Sequence, residues 1–161
     1  MKLLRNDKEF VFRLSRREHG LLVETLRMYP LVPPAHHRLS RQGADGALAE
    51  SQRLLDEALA EQRAANRRQV QAFLSDEGRC RPVGNALELR LTPADVEWLL
   101  QVLNDVRVGA WLALGEPEQG EEPPVTEENA RYHFALAMSG WFEHELLAGL
   151  GIHESPDWAD G

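Results

Sequence analysis

The sequence predicts a mainly α-helical single domain over residues 1–161: a helical bundle of about four main helices with two short β-strands on its N-terminal side. Its 161 residues, 43% hydrophobic and 27% charged, have the composition of one ordinary globular domain. Long segments rich in helix-forming residues are separated by stretches rich in proline and glycine. Only two short segments alternate apolar and polar residues with the period of a strand.

The two predicted strands have the same pattern. Segment 9–14 places Phe10, Phe12 and Leu14 on one face, and segment 86–91 does the same with three leucines. Because both faces are apolar, we expect the two strands to pair.

The first helix follows directly after the first strand. Ser15 and Glu18 have the spacing of a capping box, which predicts a helix from about Arg16 to Met28. Tyr29 precedes a proline and is therefore disfavoured in the helical region, so the helix ends there.

The longest predicted helix covers residues 47–77, which contain no proline or glycine, and Gly78 is placed to close it as a left-handed cap. Its inward stripe is apolar at both ends and polar in the middle, at Gln62 and Asn66. That middle is expected to be exposed, kinked or covered by a partner.

The third helix has the clearest start signal in the chain. Thr92 is a cap, Pro93 suits the first helical position and Asp95 faces the positive end of the helix dipole. The helix is expected to reach about Leu114 and to stop at Gly115, with Gly109 tolerated inside it at some cost.

Residues 115–125 are rich in glycine, proline and glutamate and are predicted to form a flexible acidic linker. Thr126 is expected to cap a last helix that is apolar around most of its circumference and ends at Gly149 and Gly151. Residues 152–161 are then a polar tail.

The charge of the chain restricts its partners. The net charge is −8, which disfavours nucleic acid and anionic membranes. Residues 1–90 carry +4 and residues 91–161 carry −12, so basic and acidic faces are expected to pair within the fold or across a homodimer. The alternative is that the acidic half is a docking surface for a basic partner.

Cys80 is the only cysteine, which excludes an intramolecular disulfide and agrees with a reducing compartment. No apolar run is long enough for a signal peptide or a membrane span. We therefore expect a cytoplasmic protein.

A metal site has only weak support in the sequence. His133 and His144 lie on one face of the last helix but about 16 Å apart, so they cannot share an ion. Glu143 and Glu145 lie beside His144, and a metal would need a further histidine, such as those at positions 36 and 37. The prediction is that the protein has no metal and no other cofactor.

The densest polar group lies in the third helix. Asn104, Arg107 and Trp111 fall on one side of it, and Asp105 falls on another side with Trp98. Polar groups set among bulky apolar residues are costly if unpaired. We interpret these five residues as a structural polar network that joins this helix to a neighbour, and not as a catalytic site.

The run from Trp98 to Val108, WLLQVLNDVRV, resembles an uncharacterised bacterial family known only as a domain of unknown function. Its signature is a Trp-Leu pair followed by Leu-Asn-Asp-x-Arg on one helix, and in actinobacteria its genes often lie near that of a Clp protease adaptor. The resemblance extends loosely over residues 15–149, with Trp141 in the last helix. The chain departs from the signature at residues 109–111 and in its acidic linker.

The chain contains no G-x-S-x-G, P-loop or G-x-G-x-x-G motif. This favours a non-enzymatic interaction or regulatory protein that acts through protein–protein contacts as a homodimer. One alternative is a small metal-dependent helical-bundle enzyme. Another is an adaptor linked to a Clp-type protease, docking through the acidic linker or the tail with Trp158, as the resemblance implies.

Overall fold

The computed structural model describes residues 1–6, 8–34 and 46–151, and residues 152–161, predicted as a tail, lie outside that part. Within these ranges the structure has four helices and is mainly helical, which agrees with the predicted fold class. The elements in chain order are β1 (Lys2–Asn6), β2 (Phe10–Ser15), α1 (Arg16–Arg27), α2 (Ala47–Ser75), β3 (Cys80–Val83), β4 (Ala86–Leu91), α3 (Pro93–Ala113) and α4 (Ala130–Gly149).

The strands form one antiparallel sheet in the order β1-β2-β4-β3. The predicted pair, β2 with β4, lies at its centre, with Phe12 opposite Leu89 and Leu14 opposite Leu87. The prediction of only two strands was wrong, because β1 and β3 add an edge on each side. Edge strands need no apolar face of their own, and Pro82 is tolerated in β3 at such an edge.

The alternation predicted for the first strand is only partly correct. Phe12 and Leu14 are fully buried, whereas Phe10 is half-buried and Val11 is buried on the opposite face. Since β2 is an interior strand with a neighbour on each side, cross-strand side chains can shield both of its faces.

Two helix starts are confirmed in detail. Ser15 and Glu18 form the capping box of α1, and Thr92 and Asp95 form that of α3. The predicted stop of α3 is confirmed as well, because Gly115 has a φ of 86°, where a residue without Cβ is favoured.

Two helix ends differ from the prediction. Helix α2 ends before Asp76, whose carboxylate accepts the backbone N–H of Gly78, and Gly78 is not a left-handed cap. Helix α4 begins at Ala130 and not at Thr126. Thr126 and Asn129 exchange two backbone-to-side-chain hydrogen bonds in the turn just before the helix. The residue predicted to cap α4 therefore lies one turn before its observed start.

Helices α3 and α4 pack together more extensively than any other pair of elements and form the centre of the protein, as predicted. Helix α2 contacts α3 through its C-terminal half, where the ring of Phe73 lies 5.5 Å from that of Trp98. Val70 is its only buried residue, and Leu48 and Leu54 are each 54% exposed. Most of this 29-residue helix therefore lies on the surface.

The predicted acidic linker follows α3 along the surface. The indole N–H of Trp111 donates to the Pro117 carbonyl at 3.1 Å, and the backbone N–H of Glu118 donates to the Glu121 carboxylate. These contacts define a turn near the start of the linker, and its flexibility stays a prediction. No helix in the described ranges combines the length and the apolar character needed to cross a bilayer.

Candidate functional site

A polar cleft of about 300 Å³ lies between α2 and α3, and we call it the α2–α3 cleft. The polar middle of α2 forms one wall and the third and fourth turns of α3 form the other. Its lining residues are Tyr29, Leu59, Gln62, Arg63, Asn66, Gln101, Asn104 and Asp105. Among the described residues, the lining contains no histidine, cysteine or serine, and it offers hydrogen-bonding groups instead of the usual nucleophiles.

One end of the cleft is closed by the chain that leaves α1, residues 29–32. One carboxylate oxygen of Asp105 accepts the backbone N–H of Leu31 at 2.7 Å and that of Val32 at 3.3 Å. Asp105 therefore provides both of these N–H groups with an acceptor that no secondary structure supplies.

The same segment touches the backbone of α3. A Cβ placed on Gly109 would lie 2.4 Å from the carbonyl carbon of Leu31 and 2.7 Å from the nitrogen of Val32. Such distances are impossible for non-bonded atoms. Gly109 was expected to be a cost to the helix, and the structure adds a packing reason for the glycine, since its missing side chain allows residues 29–32 to reach Asp105.

Helix α2 holds the segment from the other side. The Arg63 guanidinium donates to the Val32 carbonyl, and the Asn66 amide donates to the Tyr29 hydroxyl at 3.3 Å. Burial, reinforced by the Asp105 carboxylate, raises the pKa of Tyr29. The hydroxyl therefore keeps its proton and, as it accepts from Asn66, can donate to another group in the cleft.

The five residues predicted as one polar network fall into separate groups. Asp105 binds residues 29–32, while Asn104, which also lines the cleft, accepts a hydrogen bond from Arg107 at 2.8 Å. Trp111 contacts the linker, and the buried indole nitrogen of Trp98 has no hydrogen-bond partner in the described part of the chain.

Arg107 is the residue of this set that connects α3 to α4. Its guanidinium lies 3.0 Å from the carboxylate of Glu143, whose side chain is only 16% exposed. Burial raises the pKa of Glu143, while the Arg107 charge and hydrogen bond partly oppose the shift. The ion pair thus partly offsets the free-energy cost of burying the charged Glu143 carboxylate between the two helices.

We expect Arg107→Ala to lower the free energy of unfolding by about 1 to 2 kcal/mol near neutral pH, because Glu143 loses its counter-charge. The pKa of Glu143 is raised above 4.5 in the folded state, so the folded state holds the proton more tightly and stability falls as pH rises through that pKa. The defect should therefore be smaller at about pH 4 than at neutral pH, because protonation of Glu143 removes the charge that Arg107 neutralises.

Thermal unfolding at both pH values checks this, with Glu143→Gln as the matched variant. Glutamine has the same shape and no charge, so Arg107→Ala in the Glu143→Gln background should cost less than half of what it costs alone. An equal cost in both backgrounds would show that Arg107 acts only through packing.

The weak metal candidates do not converge. Glu143 is paired with Arg107, Glu145 lies 3.9 Å from the N-terminal amine, and His144 is exposed. The Nε2 atom of His133 is buried without a hydrogen-bond partner in the described ranges. Within residues 1–6, 8–34 and 46–151, no group of three or more potential ligands could hold a metal. The two loop histidines at positions 36 and 37 lie outside these ranges.

The chain matches no protein family, no curated protein and no solved structure with which it was compared. The resemblance carried by the helix around Asp105 therefore stays a prediction, and so does the adaptor role that it implies. Trp158, on which one docking mode rests, lies outside the described residues.

Sequence reasoning identified the α3 wall of the cleft but missed several residues of the site. Asn104 and Asp105 were predicted as site residues, whereas Tyr29, Arg63 and Gln101 were not. The polar interruption of the inward stripe at Gln62 and Asn66 was the signal for the α2 wall. It did not show which neighbour faces it, because that depends on how α2 packs.

Proposed function

We propose that the protein is a non-enzymatic interaction protein of the cytoplasm that works as a homodimer. The observation that carries this proposal is the solvent-facing side of α2, which we call the outer seam. The residues of the outer seam are spaced alternately four and three positions apart, which is the spacing of a two-helix interface. Its residues are Ala47, Ser51, Leu54, Ala58, Glu61, Ala65, Arg68 and Ala72.

The outer seam has no cover within the described part of the chain. All of its apolar residues are exposed, and the side chain of Leu54, in the third turn of α2, is 54% exposed. The alanines are small enough to let the backbone of another helix approach closely, and Leu54 adds apolar area to the contact.

The charges on the outer seam favour a second copy of the same chain. Glu61 and Arg68 are one heptad apart, and neither has an ion-pair partner among the described residues. In an antiparallel pair with its two-fold axis beside Ala65, Glu61 of each copy faces Arg68 of the other. A two-fold axis makes such a contact twice, so one pair of residues provides two ion pairs.

Size-exclusion chromatography with light scattering tests the proposal, and we expect twice the mass of the chain. Arg68→Glu should weaken dimerisation by about tenfold, because two attractive contacts become repulsive. Glu61→Arg should do the same, and the double exchange should restore most of the affinity.

Glu97→Arg, at an exposed position of α3 outside the outer seam, is the matched control and should leave the mass unchanged. A strict monomer at high concentration would overturn the proposal. Equal dimerisation of all the charge variants would overturn the assignment to the outer seam.

A further inference from the structure

Four side-chain amides line the α2–α3 cleft, two on each wall. Gln62 and Asn66 belong to α2, and Gln101 and Asn104 belong to α3. A carboxamide has one acceptor oxygen and two donor hydrogens, so each can bond both the N–H and the C=O of one residue in an extended chain, since these two groups point to the same edge. Gln62 and Gln101 are exposed and donate to or accept from no other described residue.

The spacing of the amides fits an extended chain. Gln62 and Asn66 are four residues apart on a helix, a rise of about 6 Å. In an extended peptide, alternate residues are separated by about 6.6 Å and direct their main-chain groups to the same edge. Gln62 and Asn66 can therefore bind one edge of a peptide in register. Gln101 and Asn104 are three residues apart, a rise of about 4.5 Å, so we expect only one of them to bond the opposite edge in register.

The remaining groups of the cleft suit a ligand without net charge. Arg63 and Asp105 carry opposite charges and are already engaged with residues 29–32. The protonated Tyr29 hydroxyl offers one more donor at the closed end. Leu59, half-buried, provides an apolar contact for a side chain of the ligand.

We infer that the α2–α3 cleft binds a short extended peptide segment of a partner protein through main-chain hydrogen bonds to its side-chain amides. The volume of about 300 Å³ is at the lower end of the range for ligand pockets, which limits the bound part to a few residues. This inference goes beyond the homodimer, because the cleft and the outer seam are different faces of α2. A monomer could bind the peptide equally well.

The probe is a capped, uncharged tetrapeptide of alanine, titrated into the full-length ¹⁵N-labelled protein while its amide NMR spectrum is recorded. We expect saturable shifts of the side-chain NH₂ signals of Gln62, Asn66, Gln101 and Asn104, with a dissociation constant of about 1 mM. An analogue with N-methylated peptide groups should bind at least about tenfold more weakly, because it has lost its donors.

The variant with Gln62→Leu and Gln101→Leu should also lose about tenfold in affinity, since leucine keeps the volume without the hydrogen bonds. Gln71→Leu, on the outer part of α2, is the matched control and should bind as the parent does. Unchanged NH₂ signals up to about 10 mM peptide, or equal binding of the N-methylated analogue, would overturn the inference. Neither result bears on the mass of the dimer.

Discussion

Gly109→Ala is expected to lower the free energy of unfolding by about 3 kcal/mol, or about 6 to 12 °C in Tm. In an ordinary helix interior this change would stabilise the protein by up to about 1 kcal/mol, since alanine is the better helix former. Here the new methyl group would lie 2.4 Å from the backbone carbonyl carbon of Leu31. The backbone cannot rotate out of the contact as a side chain can, so residues 29–32 must move away from α3.

Gly20→Ala is the control for this substitution. Gly20 also lies within a helix, α1, but a Cβ there would meet no atom within 4 Å. We expect a small gain in Tm, so the same chemical change should act in opposite directions at the two glycines. Urea or thermal unfolding of both variants checks the prediction. Two gains of similar size would mean that residues 29–32 do not contact α3 as described.

Asp105→Ala is expected to cost about 2 to 3 kcal/mol, because it leaves two backbone N–H groups of residues 31–32 without their acceptor. Asp105→Asn retains an acceptor oxygen and should lose roughly half as much. The measurement is equilibrium unfolding, combined with hydrogen exchange at the amides of Leu31 and Val32, which should become much faster in the alanine variant.

Asn104→Ala provides the matched control, since Asn104 is the neighbouring residue, is exposed and, among the described residues, bonds only to Arg107. Its cost should stay within about 0.5 kcal/mol. The effects of Asp105→Ala and Gly109→Ala should also be less than additive, because both release the same segment. Full additivity would contradict a shared role.

Much of the fold could be predicted because its signals are local. The capping boxes at Ser15 and Thr92 involve residues three positions apart, and the stop at Gly115 needs only the conformational freedom of one residue. The pairing of β2 with β4 also followed, because two apolar faces of equal length had to be buried.

The errors in the sheet arose where a neighbouring strand decides the outcome. The strand β1 exists because β2 offers a free edge, and β3 because β4 does. Their own sequences have no clear alternation to show this. The start of α4 was placed one turn early because the Thr126–Asn129 exchange resembles a cap but belongs to the preceding turn.

The sequence by itself determined where α1, α2 and α3 begin, where the central strands lie and that α2 has a polar middle, since these depend on short-range periodicity and capping. Only the tertiary structure decided what Asp105 and Gly109 do. Their partners, the backbone groups of Leu31 and Val32, lie more than 70 residues away and have no side-chain pattern to mark them. A hydrogen bond to backbone leaves no trace in the identity of the donor residue, so only the packing of α1, α2 and α3 reveals it.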